Sequence, residues 1–297
     1  MHFNLSDEVA AALEQNRPVV ALESTVIAYG LPHPQNLETA TKLEEIVRQA
    51  GCVPATIAIF GGEFCVGLEH TQIERLATGK NIRKISRRDL PIAVANKLEC
   101  ATTVATTAFI AHRAGIKVFA TGGIGGVHRG FAADVSADLV ELARTPIVVV
   151  CSGAKIVLDL PASREWLETF GVTVLGWQCD EMPAFYSRSS GLPVDERVES
   201  AGDVARVAAA RDDLKLDNAI LVTVPVPEEF AVDSTELENI LDASLETAVK
   251  NSIRGKDITP FLLSEMSRRS DGRTLASNIA LLENNARIAA EIARAII

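Results

Sequence analysis

The sequence has few rings: aromatic residues make up 5% of its 297 positions, with two Trp and two Tyr. Its core must therefore rest on Val, Ile, Leu and Ala, a mixture that suits a buried parallel sheet under helices. Basic tracts are missing too. The formal net charge is −10, and Arg87-Arg88 is too short a pair to make the basic face that nucleic-acid binding requires. Nucleic acid is excluded as an expected partner, although one Lys and a helix N-terminus suffice to hold a single phosphate. No apolar stretch reaches the length of a membrane span, and Met1 to Glu8 lacks a basic segment leading into an apolar one. No membrane association is expected, and the expected compartment is the cytoplasm. The five cysteines, at 52, 65, 100, 151 and 179, form no CxxC pair and no Cys/His zinc spacing. They read as reduced thiols packed in a core. Internal repeats, low-complexity tracts and Gly/Ser linkers are also absent, so a single domain spanning 1–297 is expected.

What remains is a regular alternation. Ser6 precedes Asp7-Glu8 as an N-cap precedes an acidic first turn. Short apolar runs at 19–22, 55–60, 116–120, 146–150, 172–175 and 219–224 read as buried strands. Segments at 36–50, 136–143, 165–170, 235–250, 260–269 and 275–297 have helical spacing, and the run from Ala101 to Ile110 leads into another helix. Strands alternating with helices predict an α/β fold, a mostly parallel central sheet with helices on both faces. The longest irregular stretch, 184–195, reads as a surface or active-site loop.

Ligands of such sheets bind beyond the carboxyl ends of the strands. Four places qualify: Glu23-Ser24-Thr25, Lys84-Ile85-Ser86, Thr121 to Gly130, and Ser152 to Lys155. The turn Gly122-Gly123-Ile124-Gly125-Gly126 fails the dinucleotide fingerprint, because His128 stands at the third glycine position. A tight turn offering backbone N–H groups explains it better. Lys155 follows an apolar strand and is placed at or near a helix start, where the helix dipole favours anions and gives a lysine nothing. It reads either as a surface lysine or as an amine that attacks a carbonyl. Glu23 is either a helix-capping carboxylate or an acid/base group tuned by apolar surroundings. Lys84 is either a solvated charge or a ligand contact. Asp134 and Asp138 share a face if the helix has begun, and with so few ligands they could hold only a largely hydrated Mg²⁺ or Mn²⁺.

Several motifs taken in order go further. They include Val20-Ala-Leu-Glu-Ser-Thr-Val26, Gly30-Leu-Pro-His-Pro-Gln-Asn36, Ser86-Arg-Arg-Asp-Leu-Pro91 and Phe119-Ala-Thr-Gly-Gly-Ile-Gly-Gly-Val-His-Arg-Gly130. Asp134-Val-Ser-Ala-Asp-Leu139, Cys151-Ser-Gly-Ala-Lys155, Pro183-Ala-Phe-Tyr-Ser-Arg-Ser-Ser-Gly191 and Ser277-Asn-Ile-Ala-Leu-Leu-Glu-Asn-Asn285 follow. Together they resemble the pseudouridine-5′-phosphate glycosidase family, which includes the indigoidine synthase A-like proteins. The resemblance implies reversible cleavage of the C–C bond between uracil and ribose 5-phosphate. In it Lys155 matches the lysine that attacks C1′ and forms an imine, and Glu23 matches the acid/base carboxylate. Lys84, Val104, Ser136, Ala137, Asp138 and Asn278 match substrate contacts. Asp134 matches the ligand of one mostly water-coordinated Mn²⁺, and a homotrimer is implied. The loop Phe131-Ala132-Ala133 is shorter and less polar than in many family members, which bears on any contact it makes.

The residue types suit that chemistry. A C–C glycosidic bond has no leaving-group heteroatom for a carboxylic acid to protonate, whereas an iminium on lysine makes a retro-aldol-like departure of uracil feasible. Two rival expectations stand beside it: an imine-forming aldolase on another phosphosugar, and a non-catalytic nucleotide-binding module.

Overall fold

A computed structural model describes residues 3–129, 133–253 and 258–297. Phe131 and Ala132 of the shortened loop lie outside the described residues; Ala133 is an exposed turn residue. In chain order the strands are β1 (Phe3–Leu5), β2 (Val19–Leu22), β3 (Val53–Phe60), β4 (Glu63–Val66), β5 (Arg83–Ile85), β6 (Cys100–Thr102), β7 (Val118–Ala120), β8 (Val127–His128), β9 (Val148–Cys151), β10 (Leu158–Asp159), β11 (Thr173–Trp177), β12 (Glu196–Val198) and β13 (Ile220–Thr223). The helices are α1 (Asp7–Glu14), α2 (Gln35–Gln49), α3 (His70–Thr78), α4 (Leu90–Ala95), α5 (Val104–Arg113), α6 (Ala137–Leu142), α7 (Leu160–Thr169), α8 (Ala201–Asp213), α9 (Ser234–Lys250), α10 (Ile258–Arg269) and α11 (Arg273–Ile296).

Among the described residues, eleven strands form one sheet with the path β1-β4-β3-β2-β7-β9-β13-β11-β12. From β3 through β12 every pairing on this path is parallel. Every residue of β2, β9 and β13 is buried, as strands covered on both faces must be. Helices α5 and α11 both lie against β2 and β7, one on either face, so the expected α/β architecture is present. Ser6 caps α1 as its position predicts, its Oγ accepting the Val9 N–H at 3.3 Å.

One edge departs from the parallel pattern. Strands β3 and β4 form a hairpin across Gly61-Gly62, both at positive φ, the backbone that a two-residue turn needs. Strand β6 pairs antiparallel with Ala58 and Ile59 of β3, beyond the point where β2 ends. The tip of β6 therefore meets the tip of β2. Ser24 Oγ donates to Ile57 O and lies 3.2 Å from Thr102 Oγ1, while the Thr102 N–H donates to Ser24 Oγ at 2.9 Å. These buried hydroxyls satisfy backbone groups that the split in the sheet would otherwise orphan. They also carry the start of α5 to the carboxyl end of β2. Helix α5 contains the polar run Thr106-Thr107 in a buried setting; Thr106 donates to Ile85 O and Thr107 to Thr102 Oγ1, which explains how it stays buried.

Candidate active site

The carboxyl ends of β2, β7 and β9, three neighbouring strands, open into a cavity of about 450 Å³. Glu23, Lys84, Val104, Asp134, Ser136, Ala137, Asp138, Lys155 and Asn278 all line it. The structure thus brings every sequence-derived candidate to one wall or another of a single space.

Lys155 is held by two strand ends acting together. The glycine-rich segment after β7 runs beside the segment after β9: Ser152 N donates to Gly122 O, Ile124 N to Gly153 O and Lys155 N to Ile124 O, at 2.9–3.1 Å. Beyond it, β8 and β10 pair antiparallel, Leu158 opposite His128. Lys155 is therefore not at a helix start; α7 begins five residues later, after β10. Its Nζ donates to Gly123 O at 2.5 Å. Gly153 sits at φ +81°, and a Cβ there would lie 2.1 Å from Pro183 O, so the turn that delivers Lys155 admits no side chain.

Glu23 follows β2, and the Thr121 hydroxyl at the end of β7 donates to its Oε1. It does not cap a helix; a π-helical turn, Val26–Gly30, begins three residues later. Burial pushes the Glu23 carboxyl above the ordinary glutamate value, and Lys155, the Thr121 hydrogen bond and Lys84 oppose that rise. A carboxyl whose proton is held more tightly than usual, beside an amine, is the pair that acid-assisted addition to carbon requires.

Asp138 occupies a different role from Glu23. Its Oδ1 accepts the Ala105 N–H at 2.9 Å and its Oδ2 the Gly125 N–H at 2.8 Å, so it joins the start of α5 to the glycine-rich turn. At Gly125 a Cβ would meet Ser136 Oγ at 2.3 Å and Asp138 Oδ2 at 2.8 Å, which is why this turn needs glycine. Ser136 caps α6 by accepting the Asp138 N–H. Asp134 precedes that helix and does not share a helical face with Asp138, contrary to the four-residue spacing. Its carboxylate faces His128 Nδ1 at 3.3 Å. Among the described residues no group of three or more His, Cys, Asp or Glu side chains could enclose a metal. With both Asp138 oxygens engaged, Asp134 fits only an ion that keeps most of its waters.

Ser86 and His128 lie in strand-end places the sequence singled out, whereas Thr121 as the partner of Glu23, and Tyr29, Arg88, Phe185 and Leu263 on the walls, were not picked out. Thr121 was detectable as a hydroxyl at a parallel strand end. Leu263, on α10, carries no chemical signal.

A family model described as indigoidine synthase A like protein matches residues 8–295. The pseudouridine-5′-phosphate glycosidase of Caldanaerobacter subterraneus subsp. tengcongensis is 53% identical over 293 residues, 98% of this chain and 95% of the relative. That of Myxococcus xanthus is 50% identical over 296 residues, 99% of this chain and 98% of the relative. Among solved structures, the prealnumycin C-glycosynthase AlnA in complex with ribulose 5-phosphate aligns with a TM-score of 0.91 at 42% identity, covering 99% of this chain and 96% of that one. An indigoidine synthase A-like protein from Thermotoga maritima aligns at 0.89 and 36% identity, with 99% and 96% covered.

Proposed function

The chain belongs to the indigoidine synthase A like family, and from that premise we propose that it is an enzyme cleaving pseudouridine 5′-phosphate reversibly to uracil and ribose 5-phosphate. The observation that carries the reading is the convergence of Glu23 and Lys155 on one cavity from the ends of β2 and β9, which flank β7.

In the proposed reaction Glu23, protonated, gives its proton to the ribose ring oxygen as the C1′–O4′ bond opens. The neutral Lys155 amine adds to C1′, and the proton it sheds returns to the carboxylate. Once uracil C5 is protonated, the nitrogen lone pair of Lys155 forms the C1′=N bond while the C1′–C5 pair returns to the base as its C5=C6 double bond, releasing neutral uracil. Water then hydrolyses the imine to free ribose 5-phosphate and Lys155. Gly123 O, which accepts from Nζ, aims the amine before substrate arrives. Lys84 supplies positive charge for the phosphate or an oxyanion. Val104, Ser136, Ala137 and Asn278 form the remaining substrate contacts, and Asp138 acts by holding the glycine-rich turn. Asp134 with waters would hold a hydrated Mn²⁺, whose charge would offset that of the phosphate. The same reading takes the protein to be a cytoplasmic homotrimer. The described helices include none long and apolar enough to cross a membrane.

The test is direct. Pure protein incubated with pseudouridine 5′-phosphate and Mn²⁺ releases free uracil, and borohydride during turnover adds a ribose-phosphate mass to Lys155. Uracil release with Lys155 unmodified would refute the imine; no uracil release would refute the activity. Activity that persists undiminished after thorough chelation would remove the ion.

A further inference from the structure

The motif Ser86 to Pro91 has no part in the chemistry above, yet it frames one wall of the cavity. Lys84, Ser86 and Arg88 line that space, whereas Arg87, between the last two, does not. Its guanidinium docks instead on two helices at once. Cζ lies 4.7 Å from the centroid of the Phe109 ring on α5, within cation–π range. Nη1 donates to both carboxylate oxygens of Glu141 on α6, at 3.0 and 2.8 Å.

Glu141 is 2% exposed, and the buried Thr145 hydroxyl donates to its Oε1 at 2.6 Å. Taking a carboxylate out of water can cost more than its attraction to a partly exposed arginine returns. Such a pair is weak support for stability and better suited to fixing one arrangement of the elements it joins. Here those elements are informative. The helices that receive Arg87 are the two whose first residues form another wall: Val104 opens α5, Ser136 caps α6, and both line the cavity. Asp138 already joins the two helix starts through the Ala105 N–H. Ala137, also on the cavity, stands four residues before Glu141 on the same helical face.

The wall that carries Lys84 has less support of its own. Strand β5 is three residues long and, among the described residues, pairs on one side only, with β6. After it, Ser86 donates its N–H to Asp89 Oδ2 at 3.0 Å, and Asp89 Oδ1 accepts from Arg83 at 3.3 Å. Those bonds stay within the segment. Among the described residues, the side-chain hydrogen bonds by which 86–89 reach another element are those of Arg87 to Glu141.

We infer that Arg87 and Glu141 are positioning residues, whose ion pair sets the distance between the wall at Lys84, Ser86 and Arg88 and the wall at the starts of α5 and α6. That distance decides how tightly an anionic substrate is held. The inference rests on the glycosidase reading for the identity of that substrate. Glu23 and Lys155 stand on other strand ends and keep their places without the pair, so its loss acts on KM and spares kcat.

The test follows uracil release from pseudouridine 5′-phosphate and calorimetric binding of ribose 5-phosphate, both with the intact protein. Arg87→Met/Glu141→Gln removes the pair at constant net charge, and Gln keeps an acceptor for Thr145. It is expected to raise KM and the ribose 5-phosphate Kd about tenfold, with kcat within about threefold of the parent. Glu141→Gln alone separates geometry from charge. Losing a negative group would by itself tighten an anion, whereas the weaker bond from Arg87 to a neutral amide is expected to loosen it about threefold. Arg87→Met alone leaves a buried carboxylate unpaired and is expected to melt well below the parent; the double variant regains most of that loss and keeps the raised KM. Arg87→Lys, which retains the charge without the planar guanidinium, is expected to raise KM about threefold and serves even if the methionine variants fail to fold. A KM that recovers together with the melting temperature, a KM that falls in Glu141→Gln, a loss confined to kcat, or KM and Kd unmoved in the double variant and in Arg87→Lys would overturn the positioning role. A parent that binds ribose 5-phosphate but releases no uracil sinks the glycosidase reading alone, and the Kd ratios still decide the ion pair. A parent that binds no ribose 5-phosphate would overturn both.

Discussion

The floor and the roof of the reaction cavity are built on opposite principles. The floor is the set of strand ends after β2, β7 and β9, and its groups are tied by buried hydrogen bonds. Asn285 of α11 is 1% exposed; its Nδ2 donates to Thr121 O at 2.9 Å and lies 3.1 Å from Ser152 Oγ. One amide thereby fixes the spacing between the strand end that bonds Glu23 and the strand end that leads to Lys155. The roof is α10, whose Thr259, Pro260 and Leu263 face the cavity while a further 260 Å³ of space lies behind them. Close packing makes a region resist displacement, and a void removes that resistance. The chemistry accordingly belongs to the floor, and the roof governs which molecules fit and how tightly.

The most severe test of the floor is Lys155→Ala, expected to lower kcat by about 10⁴-fold or more, as loss of a covalent nucleophile does; single-turnover uracil release measures it. Glu23→Gln follows, with a loss of about 10²–10⁴-fold and unchanged substrate binding. The direction of the Glu23 shift adds two expectations. Activity that needs protonated Glu23 should decline as pH rises through its elevated folded-state pKa. Because the folded protein holds this proton more tightly than the unfolded chain, stability is also lost across the same window, from the ordinary glutamate value upward. Glu23→Gln should therefore melt higher than the parent above that window, and the advantage should vanish below pH 4.5. Thermal melts at both ends of the range decide it: a Gln variant less stable at high pH would mean that the attraction to Lys155 outweighs the burial.

How much of this contrast was legible in the sequence follows from its physical origin. The strands of the floor, such as Val19–Leu22 and Val148–Cys151, are fully buried and announce themselves as unbroken apolar runs. Glu23 stands out as a charge directly after such a run and Lys155 as one across the short turn Ser152-Gly153-Ala154 that follows another, although the residues alone left each open to a structural reading and only the family motifs named a chemistry. The local geometry at Lys155 was misread, because β10 exists through pairing with Val127-His128 some thirty residues earlier, and no local pattern encodes a distant partner. Helix α8 was overlooked despite its capping box, in which Ser200 accepts the Asp203 N–H and Asp203 accepts that of Ser200, a signal that was there to be read. The roof was illegible for a different reason. An empty space beside Leu263 and Tyr186 is a property of packing, and sequence patterns report which residues are apolar without reporting what they fail to touch.

A milder way to disturb the floor is Asn285→Leu, nearly the same size. It leaves Thr121 O and Ser152 Oγ without their buried donor, at an expected cost of about 2–3 kcal/mol in denaturant unfolding. The strand ends then lose their common tether, and kcat is expected to fall about tenfold with little change in KM. An unchanged kcat in folded protein would show that β7 and β9 hold the spacing on their own.

Leu263→Ala probes the roof, and the comparison predicts the inverse split. Leu263 is only half-buried and lies between two cavities, so its truncation enlarges space already present instead of opening a void in a dense core. The expected stability loss is about 1 kcal/mol, below the 2–5 kcal/mol of a packed core position. Loss of apolar contact at the roof weakens ground state and transition state alike, so KM is expected to rise about three- to fivefold with kcat nearly unchanged. Should Leu263→Ala instead lower kcat while sparing KM, the roof would be holding the reacting groups in line, and the division of labour between the two halves of the cavity would fail.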